Sequence, residues 1–493
     1  MSRNARRTKI VATLGPATDD DAVLEKVIRA GLDVARVNFS HGQLADVRRR
    51  VEKVREIAGR VGRVVAIMGD LQGPKIRIES FADGAVQLKN GARFVLDTDF
   101  DPDGGDERRV GVAYRGLTAD VSTGDCLLLD DGQISLRVEA VEGSQVICSV
   151  VSGGRLSNKK GLNKQGGGLS APALAEKDRA DIVAAAEMGL DYVAVSFVRS
   201  AADIEAARAL VRSANGDARI VAKIERVEAV HNIDELIDAS DAIMVARGDL
   251  AVEVGYAELT GLQKQIIRKT RAGNKISITA TQMMESMIDH IAPTRAEVSD
   301  VANAVMDGTD AVMLSAETAV GQYPAQAVET MSQVCQGAEK HQGFRGRTNH
   351  RLEDSFDHVD EAIAMATMYT ANHLDVKAIV ALTESGSTPL WMSRVRSDIP
   401  IYAFTRHPAT QRRVCLYRGV QPVEFDIVHT DPRAVYVTLF DKILKEGFAE
   451  EGDLVILTKG DRTGISGRTN AMKILTISRQ LALLDPEKMK EEA

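Results

Sequence analysis

The chain has 493 residues, with 62 Lys and Arg against 70 Asp and Glu, a formal net charge of −8. Hydrophobic residues make up 44% and charged residues 27%, a mix that excludes a largely disordered or fibrous chain and, at this length, suggests about three domains. The negative balance argues against non-specific nucleic-acid binding, which needs a basic field, but not against a local basic pocket for phosphates. No run of about 18 apolar residues occurs, so no membrane-spanning helix is expected. Cys126, Cys148, Cys335 and Cys415 lie far apart with no Cys-x-x-Cys pair. Neither a zinc site nor a disulfide framework is expected, and free thiols suit a cytoplasmic protein. The basic N-terminus is too short and broken in its apolar part for a secretory signal.

Short runs rich in Val, Ile and Ala recur at residues 9–14, 33–37, 64–68, 191–195, 219–223, 242–246, 275–279 and 311–315. Continuous apolar runs of this length suit parallel strands buried on both faces. Helical spacing fills residues 20–30, 44–58, 176–188 and 294–306, with Gly31, Gly59, Gly189 and Gly308 as stop signals. Eight strand–helix units predict a (β/α)8, or TIM, barrel of the α/β class. Residues 74–169 read differently, as short alternating strands with turn signals at Asn90-Gly91, Asp131-Gly132 and Glu142-Gly143. They are expected to form a small inserted β-barrel after the third barrel strand, at the face where barrel active sites lie, placed as a lid. A polar linker follows His341. A helix at 359–373 and strands at 378–382, 401–404, 422–425, 454–457 and 473–477 then predict a separate open α/β domain. The expected partition is a barrel of residues 1–73 and 170–345, a lid of 74–169, and a C-terminal regulatory domain of 346–493.

Polar residues just past the barrel strands are the catalytic candidates. In chain order they are Arg36, Asn38, Ser40 and His41; Asp70, Leu71, Gln72 and Gly73, then Lys75 and Arg77; Ser196 and Phe197; Lys223 and Glu225; Arg247, Gly248 and Asp249; Thr279, Thr281 and Gln282; Ser315 and Glu317. Glu225 and Asp249 stand at the ends of adjacent strands, and one or two carboxylates completed by substrate oxygens and water suit magnesium. Strand alternation puts Lys223 on the same side as Glu225, where an ammonium can stabilise developing charge. An ion pair at the barrel mouth or an aldolase-type Schiff-base lysine would use the same residues, but the adjoining carboxylates favour the metal-assisted route. No Walker loop is present. The cationic, glycine-rich stretch 159–168 sits where the insertion rejoins the barrel and can combine hinge and phosphate contact.

The segments LDVARVNFSHG, GDLQGPKIR, IVAKIE, IMVARGDLAVEVG, ITATQMMESM and PTRAEVSDVANAVMDGTDAVMLSAET together resemble the pyruvate kinases, in order over nearly the whole chain. GDLQGPKIR and LNKQGGGLSAPAL resemble the bacterial type II, or A, form. The resemblance implies a cytoplasmic, homotetrameric enzyme of glycolysis that converts phosphoenolpyruvate and ADP into pyruvate and ATP. It implies Glu225 and Asp249 as magnesium ligands, and Lys223 as stabiliser of the transferring phosphoryl group and the enolate oxygen. Arg36 resembles a phosphate-binding arginine. Gly248 and Asp249 would offer backbone N–H groups to the substrate carboxylate at a helix start. Thr281 resembles the hydroxyl beside the carbon to be protonated, with Ser315 and Glu317 in a proton relay. Asn38, His41, Arg77 and Lys160 would meet the nucleotide. Thr383, Ser385, Gly386, Ser387 and Thr388 resemble a loop that holds the phosphate of an allosteric effector, with residues 460–468 closing over it. A sugar monophosphate or AMP is expected ahead of fructose 1,6-bisphosphate.

Two positions depart from the family pattern. Ala251 replaces a glycine, which adds a methyl and excludes glycine-only backbone conformations; function is expected to survive. Many members hold potassium with residues matching Asn38, Ser40 and Asp70 together with a threonine and a glutamate, but Leu71 and Lys75 stand at those last two positions. A tethered ammonium on Lys75 would take the place of the ion, so potassium is not expected to be required. Rival readings are another magnesium–enolate barrel, such as a phosphoenolpyruvate mutase or a carboxylase-like lyase, and a phosphoenolpyruvate-binding sensor without turnover. Dependence on ADP separates the first from a kinase, and the complete set Arg36, Lys223, Glu225, Asp249 and Thr281 argues against the second.

Overall fold

The computed structural model describes residues 6–40, 42–341, 355–430, 434–461, 464–465 and 467–478. Eight parallel strands, β1 (Lys9–Thr13), β2 (Val34–Asn38), β3 (Ala66–Asp70), β4 (Tyr192–Val195), β5 (Arg219–Ile224), β6 (Ala242–Ala246), β7 (Ile276–Ala280) and β8 (Ala311–Leu314), close into a barrel in which sequence neighbours are sheet neighbours. Every residue of β1, β3, β6 and β7 is buried. That is why these runs read as unbroken apolar stretches: the inner face fills the barrel and the outer face meets helices.

The helices that matter for the site are α1 (Asp21–Ala30), α2 (Leu44–Arg60), α3 (Glu176–Glu187), α4 (Val227–His231), α5 (Arg247–Val254), α6 (Arg295–Asp307) and α7 (Pro324–His341). Asp20 caps α1 by accepting from the Ala22 and Val23 amides. Thr294 and Glu297 form a reciprocal capping box at α6. Gly31, Gly189 and Gly308 follow their helices at positive φ, as expected. Gly59 does not end α2, which runs on to Arg60. A helical glycine costs only about 1 kcal/mol against alanine, less than the packing of the apolar stripe that contains Val47, Val51, Val54 and Ile57.

By contact density the chain separates into two compact units, one of residues 1–37, 48–68 and 283–493 and the other of residues 38–47 and 69–282. Within the second unit the insertion, expected as a small β-barrel, is built from two sheets. Ala85–Leu88 pairs with Gly154–Ser157, while six strands assemble in the order Leu162–Lys164, Cys126–Leu129, Ile134–Glu142, Gln145–Ser152, Arg93–Asp97 and Arg109–Gly111. Phe94, Leu96, Leu127, Leu136 and Val146 belong to its own core. Asp131-Gly132 and Glu142-Gly143 join antiparallel neighbours as expected. Asn90-Gly91 instead links strands of different sheets.

Within the first unit a helix, α8 (Val359–His373), precedes a five-stranded sheet of β9 (Val376–Leu382), β10 (Ile401–Thr405), β11 (Val420–Glu424), β12 (Leu454–Lys459) and β13 (Ala471–Thr476) in the order β11-β10-β9-β12-β13. Only β13 is antiparallel to its neighbour. This α/β module is tied to the start of β8 and β1 by charge. The Arg394 guanidinium grips Asp310 through two bonds of 2.5 and 2.9 Å, with the side chains 1% and 2% exposed. Lys9 Nζ donates to the Val420 carbonyl at 2.6 Å, and Arg418 pairs at 3.6 Å with Glu339 of α7, whose carboxylate also accepts from the Thr8 amide and hydroxyl at 2.7 Å each.

Because breaking one side of a buried pair strands the other charge, Asp310→Ala is expected to destabilise the chain by about 3–5 kcal/mol. Replacing both, as Arg394→Met with Asp310→Leu, should recover most of that loss. Thermal unfolding midpoints of the three variants check this. A midpoint for Asp310→Ala equal to wild type contradicts it.

Candidate active site

The centre of the second unit's chemistry is a lysine held by two carboxylates. Lys223, one residue before the end of β5, places Nζ 2.9 Å from Glu225 Oε1 and 3.2 Å from Asp70 Oδ1, with side-chain exposures of 11%, 2% and 1%. It also donates to Ser196 Oγ at 2.7 Å. Ser196 in turn donates to the Leu71 carbonyl at 2.8 Å, and Glu225 Oε2 accepts from the Phe197 amide at 2.7 Å. The loop after β4 therefore orients both members of the pair. Burial pushes the Glu225 carboxyl up; Lys223 pulls it back and the Asp249 charge adds to the rise.

A buried carboxylate disfavoured by a neighbouring negative charge is relieved by a divalent cation with oxygen ligands, so the pair Glu225 and Asp249 suits such an ion. No cluster of three or more His, Cys, Asp or Glu suited to a metal gathers among the described residues, so such a cation would complete its shell from substrate or water. Asp249 stands on the first turn of α5. The Gly248 amide, expected to face a substrate carboxylate, donates to Thr281 Oγ1 at 2.8 Å, and Thr281 donates to the Ala280 carbonyl at 2.6 Å. Ala251 is buried inside α5, where helical backbone suits alanine.

Backbone strain concentrates here. Phe197, Thr281 and Gln282 have φ of 54°, 68° and 52°, values that side-chain-bearing residues rarely adopt. Arg247, buried, supports the turn after β7 by donating to the Ala280, Thr281 and Gln282 carbonyls at 3.2, 2.7 and 3.3 Å. Sequence reasoning saw Arg247 as a strand-end polar residue without a role; only the fold reveals it as the support of Thr281.

Lys75, expected beside Asn38, Ser40 and Asp70, places its Nζ 3.0 Å from Asp249 Oδ1 and 3.9 Å from Asp131 Oδ1, while Lys223 pairs with Asp70. The Ser40 amide donates to Asn38 Oδ1 at 2.9 Å and the Phe39 amide to the Asp70 carbonyl at 3.0 Å. In the insertion, Arg77 donates to the Lys159 carbonyl at 2.8 Å and Lys160 pairs with Asp130 at 2.7 Å. His41 lies outside the described residues.

In the first unit, Arg36 donates to Thr13 Oγ1 at 2.8 Å. Glu317 accepts from the Ser315 amide at 2.6 Å and the Met284 amide at 3.1 Å, and burial pushes its carboxyl up. In the α/β module, the loop after β9 leads into α9 (Ser387–Ser393). Thr383, Ser387 and Thr388 line a cavity with Arg406, Lys459 and Arg468. The Gly386 amide is taken by Thr383 Oγ1 at 2.9 Å, Ser385 donates to Ser387 Oγ at 3.3 Å, and Thr388 bonds Thr469 at 2.8 Å. Of the loop expected to close over it, Arg462, Thr463 and Ser466 lie outside the described residues.

Two family models match the chain, "Pyruvate kinase, barrel domain" over residues 5–328 and "Pyruvate kinase, alpha/beta domain" over residues 361–475. The chain is 56% identical over 481 residues to pyruvate kinase II of Salmonella typhimurium, covering 97% of this chain and 100% of that protein. It is 51% identical over 484 residues to a pyruvate kinase of Haemophilus influenzae, with the same coverage of 97% and 100%. With a pyruvate kinase of Geobacillus stearothermophilus the identity is 44% over 480 residues, 97% of this chain and 81% of that protein.

Proposed function

The chain belongs to the pyruvate kinase family, and from that premise we propose that it transfers the phosphoryl group of phosphoenolpyruvate to ADP, yielding pyruvate and ATP. The observation that carries the residue assignment is the Lys223 ammonium fixed between Glu225, Asp70 and Ser196. Phosphoryl transfer asks the protein for positioning and for positive charge on the non-bridging oxygens, with little covalent chemistry. Arg36 binds the phosphate, and Lys223 faces both that group and the enolate oxygen left as the ester P–O bond breaks. Glu225 and Asp249 would hold magnesium, which when bound supplies further positive charge to the phosphoryl oxygens.

In the second half of the reaction the enolate carbon takes a proton. Thr281 is a poor acid, and its own proton is directed at the Ala280 carbonyl. It serves as a relay that must turn toward the substrate, fed from water and the Ser315–Glu317 pair. The insertion, residues 74–169, acts as a lid over the barrel of residues 1–73 and 170–345, bringing Arg77 and Lys160 to the nucleotide beside Asn38 and His41 and keeping water from the phosphoryl group. Lys75 supplies the monovalent positive charge of the site. Its tether keeps an ammonium between the carboxylates Asp249 and Asp131.

The C-terminal module, residues 346–493, is regulatory. The cavity beside Ser387 carries Arg406, Lys459 and Arg468, a cationic lining with hydroxyls that suits a phosphorylated sugar or AMP. A cytoplasmic homotetramer completes the proposal; no described helix is long and apolar enough to cross a membrane.

Three measurements test this reading. Lys223→Ala should lower kcat by on the order of 10²–10³-fold with a smaller change in KM; steady-state rates near wild type refute the assignment. Activity in a tetramethylammonium buffer with magnesium but no potassium should stay within about tenfold (about 1.4 kcal/mol of barrier) of that with potassium. Leu71→Thr with Lys75→Glu should create potassium dependence. Ser387→Glu should abolish activation by ribose 5-phosphate, glucose 6-phosphate and AMP, and unchanged activation curves would move the effector site elsewhere.

A further inference from the structure

The insertion leaves and rejoins the barrel through a ribbon whose two edges are bonded to each other. The Ile78 amide donates to the Lys160 carbonyl at 3.0 Å and the Leu162 amide to the Ile76 carbonyl at 2.9 Å. Lys75, Arg77 and Lys160 therefore ride on one rigid strip, and whatever fixes its two roots fixes all three cations together.

Each root is fixed by carboxylates from the barrel helices. On the outgoing side the Gly73 amide donates to Asp178 Oδ1 at 2.9 Å, while Asp178 Oδ2 takes the Ala175 amide at 2.9 Å. Gly73 has φ +66°, and a Cβ there would lie 2.7 Å from that of Ser196, so the strip starts at a point that only glycine fits. On the returning side Gly166, Gly167 and Gly168 have φ of +83°, +80° and +99°. The Gly166 amide donates to the Glu253 carbonyl at 3.1 Å, and the Gly168 amide to Glu228 Oε1 at 2.5 Å. Arg226 donates to the Leu169 carbonyl at 2.9 Å, and Glu253 Oε2 accepts from the Val227 amide at 3.1 Å. A Cβ on Gly167 would lie 2.8 Å from Glu228 Oε1.

This returning root carries an energetic penalty that a permanent joint would shed. Glu228 Oε2 is buried and, among the described residues, has no hydrogen-bond partner. Beside it, Glu253 is 5% exposed, and burial pushes its carboxyl up to about 7. An amide or an apolar contact would join the loop at lower cost. A joint in which a glycine amide is held by a carboxylate whose other oxygen is left unsatisfied is one that can open, as a moving element requires.

We propose that Glu228 is a positioning residue for nucleotide use: its carboxylate latches the Gly166–Gly167–Gly168 return hinge and so sets the orientation of the strip that carries Lys75, Arg77 and Lys160. The proposal rests on the reading of the insertion as a lid. Glu228 lies on α4, outside the groups assigned to substrate or metal, and acts through the strip.

The test compares Glu228→Ala, which removes the acceptor, with Glu228→Gln, whose amide oxygen can still accept from Gly168, and with Gly167→Ala, which drives a methyl into the latch. Hydrogen exchange of residues 164–169 in the substrate-free enzyme reads the latch. The KM values for ADP and for phosphoenolpyruvate read its consequence. Expected are faster exchange and a KM for ADP raised about tenfold in Glu228→Ala and Gly167→Ala, with KM for phosphoenolpyruvate and the unfolding midpoint near wild type, and recovery of both readouts in Glu228→Gln. Unchanged exchange in Glu228→Ala overturns the latch itself. Faster exchange with an unchanged KM for ADP overturns the positioning role and with it the lid reading. Equal rises in both KM values accompanied by a lowered midpoint overturn the proposal in favour of a purely structural bond.

Discussion

A buried ammonium between two buried carboxylates is the constraint around which the catalytic end of this molecule is arranged. Lys223 is 11% exposed, Glu225 2% and Asp70 1%, and buried charges of this kind are tolerated only when paired. Every partner that completes the cluster comes from the end of a different strand: Asp70 from β3, Ser196 and the Phe197 amide from the loop after β4, and Glu225 from just beyond β5. The parallel barrel supplies the geometry, because it turns residues far apart in the chain into neighbours around one rim. Removing any one of them leaves a polar group buried and unpaired, so the cluster is either complete or costly.

Rigidity at the rim is obtained by strain that neighbouring bonds contain. Thr281 and Gln282 sit at positive φ, and the turn would relax if Arg247 did not hold its three carbonyls. The same turn brings Thr281 Oγ1 to the Gly248 amide at the start of α5. Asp249, the next residue, is thereby placed by a hydroxyl from a different strand. The proposed relay hydroxyl and a candidate metal ligand thus share one support, and disturbance of either reaches the other.

The two appended modules are joined to the barrel by opposite physics. The α/β module is held by a buried bidentate ion pair between Arg394 and Asp310, by Lys9 bonding to the Val420 carbonyl and by Arg418 pairing with Glu339. Such contacts do not give way without a large loss. The β insertion is held at its glycines by carboxylate-to-amide bonds, Asp178 to Gly73 and Glu228 to Gly168, beside the bonds of Gly166 to the Glu253 carbonyl and of Arg226 to the Leu169 carbonyl. Bonds of that kind break and reform at modest cost. One attachment is suited to transmit force, the other to allow motion.

The sequence by itself determined the architecture and the identity of the rim residues. Eight apolar runs with helical spacing between them permit little besides a parallel barrel, and a change to period-two alternation with Asp-Gly and Glu-Gly turns marks the insertion. Polar residues directly after such strands have to lie at the rim, so Lys223, Glu225, Asp249 and Thr281 were legible as candidates. What only the tertiary structure decided is which of them touch. Lys75, placed by family resemblance beside Asn38, Ser40 and Asp70, pairs with Asp249, while Lys223, reaching from another strand, pairs with Asp70. Gly59 reads as a helix stop, yet α2 runs one residue past it to Arg60, because the buried stripe of the preceding turns outweighs one glycine. Arg247, Asp178 and Glu228 carry no local pattern that sets them apart. Their roles exist only where a carbonyl or an amide from a distant segment is brought within bonding distance, and that is a property of packing in three dimensions rather than of order along the chain.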